Sequence, residues 1–260
     1  MEIMPRYFFE IAYDGSPYRG WQRQLKDPSV QEVVERALRT ALQLPDLYVV
    51  GCGRTDTGVH ATEYFLHFDA PPDRRVDERF AFSISAMLPD SIAVKRVISV
   101  ADDAHARFSA TERGYKYLIH RRKDPFLTGR SHLLYPPLDV DAMNEACKSL
   151  IGKQDFSSFC KTGSDQRTMI CDVRHAEWEH VENGYRFRIL ADRYLRNMVR
   201  AIVGTCMRIG KGDAPAASML EVIAAKDRSK AGKSAPARGL YLERVVYPFI
   251  PTNYIPLERP

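Results

Sequence analysis

Apolar and polar positions along this chain follow two rhythms, a period of two in some stretches and a helical period in others. Arg6–Tyr13 is rich in aromatic and β-branched residues and predicts a strand that stops at Asp14-Gly15-Ser16-Pro17. Behind it, Val30, Val33, Val34, Ala37, Leu38, Ala41 and Leu42 recur at helical spacing and form one buried stripe. That helix opens on Ser29-Val30-Gln31-Glu32, a capping box in which hydroxyl and carboxylate exchange hydrogen bonds with backbone N–H groups. Leu47–Val50 and Tyr64–Phe68 predict extended chain on either side of a glycine-rich loop. Arg79–Met87 predicts a second helix ended by Leu88-Pro89-Asp90, and Ile92–Ile98 another strand. Two strand–helix–strand runs with antiparallel returns indicate an α+β half of ferredoxin-like type.

The second half mixes the same rhythms. In Tyr115–His120, Tyr115, Tyr117 and Ile119 share one strand face, with Lys116 and Leu118 on the other. Tyrosines so placed are ordinarily core, and Tyr117 is read that way. Met143, Ala146, Cys147, Leu150 and Ile151 mark an amphipathic helix stopped by Gly152, with Cys147 in the core. From Val173 to Leu190, Ala176, Trp178 and His180 alternate opposite Tyr185, Phe187 and Ile189 around Asn183-Gly184, a strong hairpin cue. His180 reads as an exposed or satisfied strand histidine. Over Arg193–Ile209, Leu195, Met198, Val199, Ile202 and Cys206 take one helical face and Arg193, Arg196, Asn197, Arg200, Gly204 and Arg208 the other. A basic face of this kind is ordinarily just solvated. A short helix over Pro215–Lys226, a basic flexible loop to Lys233 and a strand over Val245–Tyr247 close the chain. The expected division is a half over residues 1–104 and another over 105–260.

Composition narrows the setting. Of the 260 residues, 45% are hydrophobic and 27% charged, ordinary for a globular protein. No apolar stretch approaches the ~18 residues that a membrane span needs. Met1–Arg6 runs straight into a strand, so no leader peptide is expected. Five cysteines, odd in number and widely spaced without a Cys-x-x-Cys pair, favour neither a zinc site nor a disulfide framework. A reduced, cytoplasmic setting is expected. The net charge of +5 and a pI near 8.9 lean towards a polyanionic partner.

Two loops carry candidate chemistry. Gly51-Cys52-Gly53-Arg54-Thr55-Asp56-Thr57-Gly58-Val59-His60-Ala61 holds a single carboxylate two residues after an arginine, in a glycine density that marks tight turns or close approach. The guanidinium of Arg54 favours an ionised Asp56. On chemistry alone the two residues read first as a surface ion pair in a turn. The loop lacks the Lys of a P-loop and the spacing of a dinucleotide fingerprint. Earlier, Tyr18-Arg19-Gly20-Trp21-Gln22-Arg23-Gln24 mixes rings, cations and amides, which suits RNA: rings stack on bases while Arg and Gln reach phosphates and base edges. Trp21 fits core packing about as well.

The segment from Gly53 to Ala61 resembles the signature of the TruA family of tRNA pseudouridine synthases, with Thr57 where the family most often has Ala. Matching blocks follow in the family's order. They are Asp14-Gly15 with Gly20-Trp21-Gln22, Arg107-Phe108-Ser109-Ala110 with Arg113-Gly114-Tyr115-Lys116-Tyr117, Asp155–Phe159, Tyr194–Gly204, and Ala235–Leu242. The resemblance implies Asp56 as catalytic nucleophile, Arg54 and Arg200 as its positive neighbours, and Tyr115 as a ring stacked on the target base. Leu240, Trp21, Gln22, His60 and Arg196 are the implied substrate-binding residues, Leu240 being equally suited to the core. The family often has His at Arg196 or Asn197, and Asn at Asp192. The implied fold is the pseudouridine synthase fold, two ferredoxin-like halves with a largely antiparallel sheet and a basic RNA-binding cleft between them. The implied activity is isomerisation of uridine to pseudouridine at positions 38 to 40 of the tRNA anticodon arm, by a homodimer, with no cofactor, no metal and no membrane.

Overall fold

A computed structural model of the chain describes residues 4–25, 27–164 and 166–251. It divides into two compact units, one of Met1–Thr111 with Leu242–Pro260, the other of Glu112–Tyr241. The first holds β1 (Arg6–Tyr13), α1 (Val30–Leu42), the short β2 (Val50–Gly51), β3 (His60–Asp69), α2 (Glu78–Met87) and β4 (Ile92–Val100). The second holds β5 (Glu112–His120), β6 (His132–Leu133), α3 (Val140–Lys148), β7 (Gly152–Asp155), β8 (Ile170–Val181), β9 (Gly184–Ala191), α4 (Met198–Gly210) and α5 (Ser218–Ala225). The last strand, β10 (Leu240–Val246), starts in the second unit and runs back into the first, where it borders β3. The division differs from the expected 104/105 boundary for that reason. Val245 N–H donates to the Glu63 carboxylate at 2.6 Å and Thr111 N–H to Val246 O at 2.9 Å, and these bonds tie the closing strand to the first unit.

In the first unit β1 lies between β3 and β4, antiparallel to both, in the register Phe9↔Leu66 and Phe9↔Val97. Strand alternation sends Phe9 towards Phe80 of α2 and Phe8 towards Tyr247 and Phe249 on the opposite face. Each fully buried phenylalanine contributes about 2–3 kcal/mol of transfer free energy. The Ser29 hydroxyl caps α1 by accepting from Glu32 N–H at 3.2 Å, as the capping box predicts.

The second unit is an antiparallel array in the order β5-β9-β8-β7, with β6 parallel to β5. The hairpin register is Ala176↔Ile189, Trp178↔Phe187 and His180↔Tyr185, the pairing that the alternation predicts. Its turn is displaced by one residue: Val181 pairs with Gly184, which leaves Glu182 and Asn183 at the tip. Gly184 has a different reason to be glycine, since a Cβ there would stand 1.9 Å from the Ile119 carbonyl oxygen of β5. On α3, Asn144 accepts from Trp178 N–H and donates to Trp178 O, and Cys147 Sγ lies 3.9 Å from Cys206 Sγ of α4 in the core.

Three expectations are corrected. The basic helix starts at Met198 and not at Arg193, because Asn197 takes a left-handed conformation (φ 68°) that breaks the helical run. Arg193 and Arg196 therefore precede the helix, and Gly204 is buried in it. The helix before Gly152 ends at Lys148, so Ile151 lies outside the stripe and is exposed, while Gly152 opens β7. The stretch after α5 is anchored: Arg228 donates to Gly232 O and Ser234 Oγ, and Gly232 N–H donates to Thr205 Oγ1 at 2.9 Å. No helix among the described residues is long and apolar enough to cross a membrane.

Candidate active site

The loop between β2 and β3 carries Asp56, and buried aromatic residues hold its backbone from behind. Tyr64 of β3 donates its hydroxyl to Gly53 O, and Cys52 N–H donates to Phe65 O at 2.7 Å. Thr55 is buried with its hydroxyl 2.9 Å from that of Tyr13, while its carbonyl accepts from Trp21 N–H at 3.3 Å. A turn then closes as Val59 N–H donates to Asp56 O at 3.1 Å. Asp56 is left half-buried between the exposed Arg54 and Thr57. Gly20 fits closely beneath: at φ 92° a Cβ there would stand 2.3 Å from Thr55 O.

Trp21 and His60, both expected to touch the substrate, face inward. Trp21 is 3% exposed and stacks on Tyr64 at 4.2 Å between centroids, and Tyr13 meets Tyr64 edge-on at 5.5 Å. His60, 2% exposed, accepts from Gly15 N–H at Nδ1 (3.1 Å) and lies 3.1 Å from Asp14 Oδ1, so it joins the turn after β1 to the start of β3. Gln22 and Arg19 are exposed on the same loop as Trp21.

A polar strut under the loops is absent from the sequence expectations. Glu35, fully buried on α1, accepts from Gln31 Nε2 (3.0 Å), Val49 N–H (3.2 Å) and Arg39 NH2 (3.2 Å). Gln31 in turn donates to Val49 O, accepts from Arg23 N–H, and its own N–H donates to Trp21 O at 3.0 Å. One buried pair thus fixes both the Trp21–Arg23 loop and the strand that leads to Asp56. Its signal in the sequence is two polar residues four apart beside the apolar stripe of α1.

The second unit supplies the remaining candidates. Tyr115 of β5 is half-buried and meets Tyr194 edge-on at 5.1 Å. The Tyr194 hydroxyl lies within donating distance of Ile189 O (2.9 Å) and Arg113 O (3.2 Å), and burial, with Tyr115 next, pushes its pKa well above the usual phenol value. Arg200 of α4 donates from Nε to Ala235 O at 2.7 Å, and its own carbonyl accepts from Ala235 N–H at 2.9 Å. Asn197 Nδ2 donates to Ser234 Oγ at 2.6 Å. Arg196 is exposed, and Leu240 is 5% exposed at the start of β10. Asp192 accepts from the N–H groups of Asp172 (2.8 Å) and Arg193 (2.7 Å), a local structural task. Among the described residues no group of three or more His, Cys, Asp or Glu is gathered as metal ligands.

A family model for tRNA pseudouridine synthase matches residues 146–248. The tRNA pseudouridine synthase A of Porphyromonas gingivalis is 45% identical over 248 residues, covering 94% of this chain and 98% of that protein. Its counterpart in Bacteroides thetaiotaomicron is 46% identical, covering 94% and 91%. The tRNA pseudouridine synthase A of Bacillus licheniformis is 38% identical over 240 residues, covering 91% and 97%.

Proposed function

The chain belongs to the tRNA pseudouridine synthase A family, and from that premise we propose that it isomerises uridine to pseudouridine at positions 38 to 40 of the tRNA anticodon arm, with Asp56 as nucleophile. The reaction breaks the bond from uracil N1 to ribose C1′ and forms one from C5 to C1′. The C5 proton leaves, N1 gains one, and nothing is oxidised or reduced. Asp56 acts at the sugar–base junction, where a carboxylate in a fixed position gains most from proximity. The observation that carries this reading is the way Tyr13, Tyr64 and Trp21 anchor Gly53 and Thr55 just before Asp56, and Val59 N–H closes the turn after it, while Asp56 itself stays half-buried.

The other residues take supporting roles. Arg54 and Arg200 act as positive partners of the carboxylate. A uridine stacked in an RNA helix is out of reach, so it is flipped out at a cost of a few kcal/mol. Stacking on Tyr115 offsets part of that, about 1–3 kcal/mol for one base. Leu240 borders the uracil, while Gln22 and Arg196 contact the RNA backbone. Trp21 and His60 act from behind, as props of the Asp56 loop and its flanking turn. The working form in this reading is a cytoplasmic homodimer.

The test is incubation of the purified protein with unmodified tRNA, followed by site-by-site mapping of pseudouridine. Product is expected only in the anticodon arm. Asp56→Ala is expected to bind tRNA and form none; turnover by that variant at the wild-type rate refutes the assignment.

A further inference from the structure

The connection from β5 to β6 and on to α3 carries an exposed surface that the catalytic reading leaves unused. Residues 121–137 include Arg121, Arg122, Lys123 and Arg130 against one acid, Asp124. Those four basic side chains are exposed, and Phe126 among them is 84% exposed. The turn that presents the ring is built, not loose. Asp124 accepts from Phe126 N–H at 2.8 Å, which occupies the one nearby carboxylate as a cap. Arg130 N–H and Ser131 N–H both donate to Leu127 O, and Tyr241 donates its hydroxyl to Arg130 O at 2.5 Å. A large ring held in water by a preorganised turn, with exposed cations before and after it in the chain, has the chemistry of a base-stacking platform.

Building on the tRNA reading above, we propose that this turn is a second RNA contact: Phe126 stacks on an unpaired base while Arg122, Lys123 and Arg130 neutralise the flanking phosphates. The strand rises about 3.3 Å per residue, so His120, where the turn begins, lies roughly 17 Å from Tyr115 along β5. The base held here is therefore not the target uridine. The contact grips the RNA away from the reacting nucleotide and sets affinity and register.

The experiment titrates fluorescent unmodified tRNA with the full chain over a series of salt concentrations. Phe126→Ala is expected to weaken binding about 5- to 150-fold, the loss of one stacked base, and Phe126→Trp to restore it. The double change Arg122→Gln/Lys123→Gln is expected to reduce the slope of log K against log salt by about 1.5–2. Leu220→Ala removes an exposed apolar side chain elsewhere in the same unit and is expected to change nothing. If wild type binds tRNA and forms pseudouridine while the turn variants bind as tightly as wild type, this proposal falls alone. If Phe126→Ala instead shifts the molecular mass in light scattering, the face joins copies of the chain and the RNA assignment is overturned. Wild-type protein that binds no tRNA removes this inference together with the functional reading.

Discussion

Gly20→Ala asks whether the Asp56 loop keeps its place because its neighbour has no side chain. Two costs combine. At φ 92° an L-residue occupies a sparsely populated region, at about 1–3 kcal/mol. The added Cβ also stands 2.3 Å from Thr55 O and 3.2 Å from the Asp56 carbonyl carbon, both of them backbone atoms. Relief to ordinary contact displaces the Thr55–Asp56 backbone by about 1 Å, and overpacking of that kind costs about 1–3 kcal/mol. The sum, about 2–6 kcal/mol, is a large share of the stability of a typical domain. A displacement of about 1 Å at the proposed nucleophile is expected to lower the chemical rate by about 100-fold. Gly152→Ala separates the two costs: it has φ 101° but no atom within 4 Å of the added Cβ, so it bears the first cost alone. Urea denaturation gives the stabilities, and single-turnover pseudouridine formation at saturating tRNA gives the rate. Equal stability losses in the two variants, or a folded Gly20→Ala protein with the wild-type rate, would refute the steric argument.

Three further outcomes are expected. Burial first, then Arg6 and His105, lower the His67 pKa from 6.5 to about 4; as pH falls through that window the unfolded chain takes the proton first, so stability present above pH 6.5 declines, by at most about 3 kcal/mol near pH 4. Urea midpoints of His67→Gln should fall less steeply between pH 7 and 4.5 than those of wild type, and parallel decline refutes the assignment. Glu35→Ala removes the acceptor of the buried Val49 N–H and one of the two acceptors of the Gln31 amide, and is expected to cost about 3–5 kcal/mol in the same denaturation experiment; a loss under about 1 kcal/mol excludes the strut. Trp21→Phe should retain most of the stacking on Tyr64, whereas Trp21→Ala should lose about 3–5 kcal/mol; a mild stability loss with a large fall in tRNA affinity would instead make Trp21 a ligand contact.

What the sequence made legible was what local physics decides. The bounds of β1, the stripe and cap of α1, and the cross-strand pairs of the β8–β9 hairpin follow from periodicity and from one hydroxyl. Misreadings occurred where distant chain intervenes. The apolar and basic faces of Arg193–Ile209 continue the helical period through a residue whose backbone turns left-handed, and periodicity carries no sign of φ. β6 and β7 are too short to show alternation and exist only because β5 and β8 pair with them. At the site, the order of residues around Asp56 was plain. The buried positions of Trp21 and His60 were not, because burial depends on Tyr64, Gly15 and Asp14 being brought to them.

The return of β10 to the first unit has a consequence for synthesis. The carboxylate of Glu63 waits for an amide 182 positions further along, and the second unit is complete in sequence before that amide exists. At 5–20 residues per second the ribosome takes on the order of 10 s to make the intervening chain. During that interval the nascent first unit lacks the strand that borders β3, an open edge that chaperones and proteases can reach. Protein shortened just before Leu242 is thus expected to keep a folded second unit and to leave the Asp56-bearing unit unfinished.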